Sequence, residues 1–124
     1  MVLPVHPKTK RLIADNRIPV SFSVTDVVGY NEMQNLLHNS GFVITDSGGF
    51  SREAFFAQKP TVIIMDKPFW PEIFKHGNCL QANATAEDII KKFNEVRASS
   101  KSFNTSVFGD GNAAGKICEA ILKF

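Results

Sequence analysis

The chain has 124 residues, enough for one domain with a real core, and 44% hydrophobic against 21% charged residues excludes disorder. A formal net charge of +2 is too small to recruit nucleic acid or an anionic membrane surface. Eleven Phe against one Trp and one Tyr suit Phe-rich packing rather than a surface built to stack bases. The first predicted strand is Leu3-Pro4-Val5, and Pro7 sits where the first turn of a helix over "PKTKRLIADN" tolerates it. Val20 to Val24 reads as the next strand. In "YNEMQNLLHNS", Tyr30, Met33, Leu36 and Leu37 form one helical face, with Gly41 placed to stop it.

Phe42 to Thr45, Thr61 to Met65 and Cys79 to Gln81 complete the strands. "FVIT" and "TVIIM" are apolar on both parities, as parallel strands covered on both faces are. Thr85 with Asp88 reads as a cap and its returning acid, ahead of Ile89, Ile90, Phe93 and Val96 on one stripe. Ile117, Cys118, Ile121 and Leu122 mark a last helix. Strict alternation of strand and helix predicts a single α/β domain over 1–124, a three-layer Rossmann-like parallel sheet with ligands beyond the strands' carboxyl ends.

No apolar run approaches a membrane span and the N-terminus has no signal-peptide layout, so a cytoplasmic protein is expected. Cys79 and Cys118 form no C-x-x-C pair and read as buried free thiols. His6, His38 and His76 have no metal-ligand spacing, and neither a metal nor a cofactor is expected.

The informative stretch is "TDSGGFSREA", Thr45 to Ala54, where a strand hands over to a helix. Gly48 and Gly49 allow close backbone approach, Ser47 adds a hydroxyl, and the helix N-terminus attracts phosphate. Glu53, one turn on, can accept bonds from sugar hydroxyls. A glycine turn with Glu53 favouring the helix dipole explains the same residues. Phe108 to Ala113, "FGDGNA", precedes the last helix, and Asp110 or Asn112 can simply cap it. Asp66 to Glu72, "DKPFWPE", again follows a strand, as a proline-rich loop whose aromatics cover the core.

Taken together, "PVHPKTKRLI", "GYNEMQNLLHNSGFVITDSGGFSREAFFAQKP", "MDKPFWPE" and "FGDGNAAGKICEAIL" resemble the C-terminal half of non-hydrolysing UDP-N-acetylglucosamine 2-epimerases. The resemblance implies a two-domain fold of the GT-B type, with this chain as most of the domain that grips UDP. Ser47, Gly48 and Gly49 match the diphosphate loop, Glu53 matches the ribose acid, and His6 matches a histidine near the cleft. Met33 falls where relatives often carry an aromatic that packs on uracil. Pro68-Phe69 replaces an acid-rich element, and Arg52 replaces an acid or a neutral residue.

The reaction so implied inverts C2 of the sugar, by anti elimination of UDP to a 2-acetamidoglucal and re-addition on the other face. The family's acid/base carboxylates belong to the N-terminal domain. No catalytic residue is therefore expected in this chain, and no epimerase activity from it alone. The ligand implied is UDP or a UDP-N-acetylhexosamine, and the parent enzyme is expected to be a homodimer. A GT-B glycosyltransferase or a non-catalytic paralogue would use the same fold, but "TDSGG" with "EA" and a later "GDG" favours the epimerase.

Overall fold

A computed structural model describes residues 1–67 and 69–123, and the chain divides into two compact units, Met1–Asn39 and Ser40–Phe124. In the first, β1 (Val2–Pro4) and β2 (Ser23–Thr25) pair in parallel, with Val2 opposite Ser23. The Val5 N–H adds a bond to the Thr25 carbonyl. The second strand is shorter than the expected Val20 to Val24. Between the two strands runs α1 (Pro7–Asp15), with Pro7 in its first turn.

That helix ends without a glycine. Arg17 takes a left-handed φ of 49°, the Ile18 N–H bonds the Ile13 carbonyl and the Arg17 N–H bonds that of Ala14. These paired bonds satisfy carbonyls that the helix itself leaves open. Helix α2 (Tyr30–Asn39) buries Leu37 and half-buries Met33 and Leu36, whereas Tyr30 at its first position is 71% exposed. The expected apolar face therefore starts at Met33.

In the second unit, β3 (Val43–Thr45), β4 (Thr61–Ile64) and β5 (Cys79–Ala82) form a parallel sheet in that order. Strand pairing thus falls into two parallel sheets rather than one continuous ladder. Adjacent residues of β4 serve opposite faces, as the strand period requires. Ile63 packs with Phe55, Ile73 and Cys79, ringed by Met65, Trp70, Phe74, Phe103, Val107 and Phe108. Val62 packs with Ala82 and Val96, flanked by Leu80, Ile89 and Phe93. The first face is covered by α3 (Gly48–Phe56), α4 (Pro71–His76) and a 3-10 turn at Thr105–Phe108, the second by α5 (Ala86–Ala98). That layering explains why "TVII" is apolar on both parities.

Phe55 meets Phe56, Phe103 and Phe108 edge-on, with ring centroids 5.6–5.8 Å apart. Phe content here is core packing, as the composition implied.

Two expected caps are built differently from the sequence reading. At α5 the Thr85 hydroxyl accepts from the Asp88 N–H, but the Asp88 carboxylate turns to the backbone and side-chain amides of Asn83. At α6 (Ala113–Ile121), Asn112 is the cap residue without a side-chain cap bond, and Asp110 accepts from the Asn112 N–H instead. Both cysteines are free, but Cys118 is exposed and only Cys79 is buried, correcting the expectation of two buried thiols. Helix α6 buries no residue at all, so its apolar stripe does not face this core. No described helix is long and apolar enough to cross a membrane.

Candidate functional site

Strand β3 ends at Thr45, and α3 begins three residues later at Gly48. Ser47 stays extended, at φ −88° and ψ 119°, and its hydroxyl accepts from the Phe50 N–H at 3.2 Å. The Ser51 N–H bonds the Ser47 carbonyl at 2.9 Å. The first four N–H groups of a helix have no partner farther back in it. Here the Thr45 hydroxyl takes the Ser47 N–H, the Ser47 hydroxyl takes that of Phe50 and Ser51 makes the first helical bond, so the N–H groups of Gly48 and Gly49 are left without a partner among the described residues. With the positive end of the helix dipole behind them, they favour an anion.

Behind that opening the glycine carbonyl is held tightly. The Trp70 indole N–H donates to the Gly48 carbonyl at 2.9 Å and the Ser51 hydroxyl donates to it at 2.8 Å. A Cβ built on Gly48 would stand 2.6 Å from the Phe69 ring, so any larger residue here must move that ring. Gly49 is open, its nearest neighbour being the Ser47 hydroxyl at 4.0 Å from such a Cβ. Arg52 lies 4.5 Å over the Trp70 ring, a cation–π contact. Phe69 is exposed and Trp70 packs against the core, so the expected aromatic cover is half right. The short helix α4 that follows begins with Pro71. Pro68 lies outside the described residues.

Glu53 is four residues beyond Gly49 on α3, hence on the same face, and is half-buried. The structure therefore gathers Ser47, Gly48, Gly49 and Glu53 at one helix start. His6 and Met33 belong to the other compact unit. His6 is the cap residue of α1, and its Nδ1 accepts from the Lys8 N–H at 3.2 Å. An accepting Nδ1 leaves the proton of the neutral ring on Nε2, at the opposite edge. Met33, on α2, donates its backbone N–H to the Gly29 carbonyl at 2.9 Å. Sequence reasoning missed Trp70 and Ser51 as partners of the loop. Trp70 gave no local signal because it lies 22 residues from Gly48.

Phe108 to Ala113 forms a second glycine-bearing helix start. Gly109 and Gly111 have φ of 105° and 80°, a region that favours glycine. The Asp110 carboxylate bonds Lys116 Nζ at 2.9 Å and 3.1 Å, and these contacts hold its carboxyl below the usual range. Among the described residues no His, Cys, Asp and Glu group has the arrangement of a metal site.

Residues 1–122 match the family model described as UDP-N-acetylglucosamine 2-epimerase. The chain belongs to this family. It is 35% identical to the Pseudomonas aeruginosa UDP-2,3-diacetamido-2,3-dideoxy-D-glucuronate 2-epimerase, over 99% of this chain and 35% of that relative. A Methanococcus maripaludis UDP-N-acetylglucosamine 2-epimerase homolog is 30% identical over 98% of this chain and 35% of its own length. The epimerase-family chain thus spans about a third of the curated relatives it matches. Among solved structures, the Methanocaldococcus jannaschii UDP-GlcNAc 2-epimerase in complex with UDP-GlcNAc and UDP superposes with a TM-score of 0.82. That match covers 99% of this chain and 35% of the solved one at 23% identity, and so speaks for the fold. The fold is α/β with parallel strands, GT-B-like as in these epimerases.

Proposed function

We propose that this chain is the UDP-gripping portion of a sugar-nucleotide 2-epimerase. The observation that carries the reading is the start of α3, where Ser47 takes the Phe50 and Ser51 amides and leaves those of Gly48 and Gly49 facing outward in a member of this family. In this reading the diphosphate accepts from the Gly48 and Gly49 N–H groups and from the Ser47 hydroxyl. Glu53 accepts from the ribose hydroxyls, Met33 covers the uracil and His6 stands near the cleft.

UDP is both leaving group and returning nucleophile: it departs from C1 as the C2 proton is removed, and returns to C1 as a proton is delivered to the other face of C2. Fixed N–H donors and the helix dipole lower the energy of the charge that gathers on the departing diphosphate. They also retain it for the second step. The substrate is a UDP-linked acetamido sugar, and the carboxylates that move the C2 proton belong to another domain. The parent enzyme is a homodimer, and its setting is cytoplasmic nucleotide-sugar metabolism.

Titration of the isotope-labelled chain with millimolar UDP tests the site. Amide shifts are expected from Ser47 to Glu53, and Ser47→Ala with Glu53→Ala should weaken binding by at least about tenfold. No shift in that stretch would sink the assignment. The 124-residue chain should interconvert UDP-GlcNAc and UDP-ManNAc no faster than its Ser47→Ala Glu53→Ala variant. A faster rate would place acid/base chemistry within this chain.

A further inference from the structure

Trp70 is the chain's one tryptophan. Its position is set from several sides. The ring packs against the core that holds Phe55, and Phe108 meets it edge-on at 6.3 Å. Arg52 covers the ring from α3. The segment before it is tied to β5, where the Gln81 side-chain amide donates to the Met65 and Asp66 carbonyls at 2.7 Å and 3.0 Å. So fixed, the indole N–H meets the Gly48 carbonyl, which also accepts the Ser51 hydroxyl.

Because the peptide unit is planar and trans, the Gly48 C=O and the Gly49 N–H point in opposite directions. Whatever fixes the carbonyl fixes the amide. As the first residue of α3, Gly48 also offers its carbonyl to the Arg52 N–H four residues on, and the Trp70 and Ser51 donors add to that helical bond and narrow the tilt of the peptide. Hydrogen bonds to a carbonyl also polarise the peptide and strengthen its N–H as a donor. Resting on the reading of α3 as the diphosphate cradle, we propose that Trp70 is a positioning residue. Its indole N–H, with the Ser51 hydroxyl, holds the Gly48 peptide so that the Gly49 N–H is aimed at the diphosphate. The Phe69 ring stands where a Cβ on Gly48 would be, 2.6 Å from that position.

A chain of donors and acceptors then links ligand to indole: diphosphate, Gly49 N–H, Gly48 C=O, Trp70 N–H. The single indole cross-peak in a proton–nitrogen spectrum reads that chain directly. Titrating the wild-type chain with UDP should move the indole peak and the Gly49 amide with one midpoint. Trp70→Phe keeps a ring but cannot donate, and should weaken UDP by about three- to tenfold while moving the Gly49 amide in the ligand-free spectrum. Ser51→Ala removes the other side-chain donor without touching the ring and should act in the same direction, which covers the case that Trp70→Phe folds poorly. An indole peak that stays still while Gly49 responds, or a folded Trp70→Phe that binds UDP as the wild type does, overturns the inference and leaves the UDP site standing. A wild-type chain with no response from Ser47 to Glu53 is a different failure, overturning site and inference together.

Discussion

Helices α3 and α6 both start from glycine-bearing segments, yet they are anchored and capped in different ways. At α3 the helix body is rooted in the core by Ser51, Ala54 and Phe55, all buried. The N-terminus is held from behind through the Gly48 carbonyl, and its leading amides face outward. At α6 no residue is buried, and the chain's own Asp110 takes the Asn112 N–H and pairs with Lys116. The α3 start is capped by the Ser47 hydroxyl on the Phe50 N–H, whereas α6 has no side-chain cap and Asp110 takes only the N–H of the cap residue itself. Glycines at a helix start therefore do not by themselves fix how its amides are used. What differs between these two is the anchoring: buried side chains and a doubly bonded Gly48 carbonyl at α3, and an exposed ion pair at α6.

The sharpest way to break this contrast is to cut each helix's apolar side chain. Phe55→Ala should cost about 3–5 kcal/mol in urea unfolding, because a fully buried ring leaves a cavity. Ile117→Ala, on the exposed side of α6, should change stability by less than about 0.5 kcal/mol. Comparable losses would mean that α6 is as deeply rooted as α3.

The cysteines sharpen it next. Cys79 lies in the core that Phe55 anchors, and burial pushes its thiol from 9.0 up to about 11, against smaller opposing effects of Thr61 and Lys101. The raised value means that the folded state keeps its proton after the unfolded thiol has ionised. Stability from this group is intact below pH 9, and falls between pH 9 and 11 by up to about 3 kcal/mol. A Cys79→Ala variant should lose that alkaline slope in denaturation curves. Thiol labelling at neutral pH should reach Cys118 at once and Cys79 on the order of a thousandfold more slowly, since the buried thiol waits for unfolding.

Glycine replacement compares the two helix starts themselves. Gly48→Ala must displace the Phe69 ring and should cost up to about 1 kcal/mol, whereas Gly115→Ala meets only the exposed Asn112 side chain. Asn112 can turn away, so the second change should gain up to about 1 kcal/mol of helix propensity. Equal and unfavourable shifts in melting temperature would contradict this.

The smallest effect is acid titration of Asp110. Lys116 and the Asn112 N–H hold its carboxyl below the ordinary value, so this contact is present above the usual range and is lost as pH falls through the lowered one. The Asn112 amide resonance should follow it with a midpoint below 3.8. A midpoint at or above that value would show that the pair is not formed in solution.

What the sequence made legible was local. The handover from strand to helix at Ser47, Gly48 and Gly49 could be read because the residue types and the helix start lie within three positions, although the sequence suggests Ser47 as a hydroxyl donor and not as the cap that it forms. Parallel strands were legible from "TVII", since both parities are apolar and both faces prove to be covered. Two helix stops were not legible, because Arg17 and Gln58 adopt left-handed φ of 49° and 55° without being glycine. The same pair of backbone bonds closes both turns, Ile18 to Ile13 with Arg17 to Ala14 and Lys59 to Ala54 with Gln58 to Phe55, and no glycine marks either in the sequence. Asp88 was misread in detail because the acid had a better partner in Asn83. The bond from Trp70 to Gly48 was hidden by its sequence separation of 22 residues.

The wrap of Ser99 to Phe108 carries a consequence of its own. Lys101 Nζ bonds the Phe74 carbonyl, the Asn104 N–H bonds that of His76, and Phe103 and Phe108 then close over Phe55. During synthesis from the N-terminus, β3, β4 and β5 with α3 and α4 are all complete by Ala82, yet the Phe55 side of that core has to wait for Phe103 and Phe108 before its cover is finished. A nascent chain halted after α5 would show that incompletely covered core to chaperones and proteases. The order in which the residues emerge, rather than their final contacts, sets the interval in which this unit is most vulnerable.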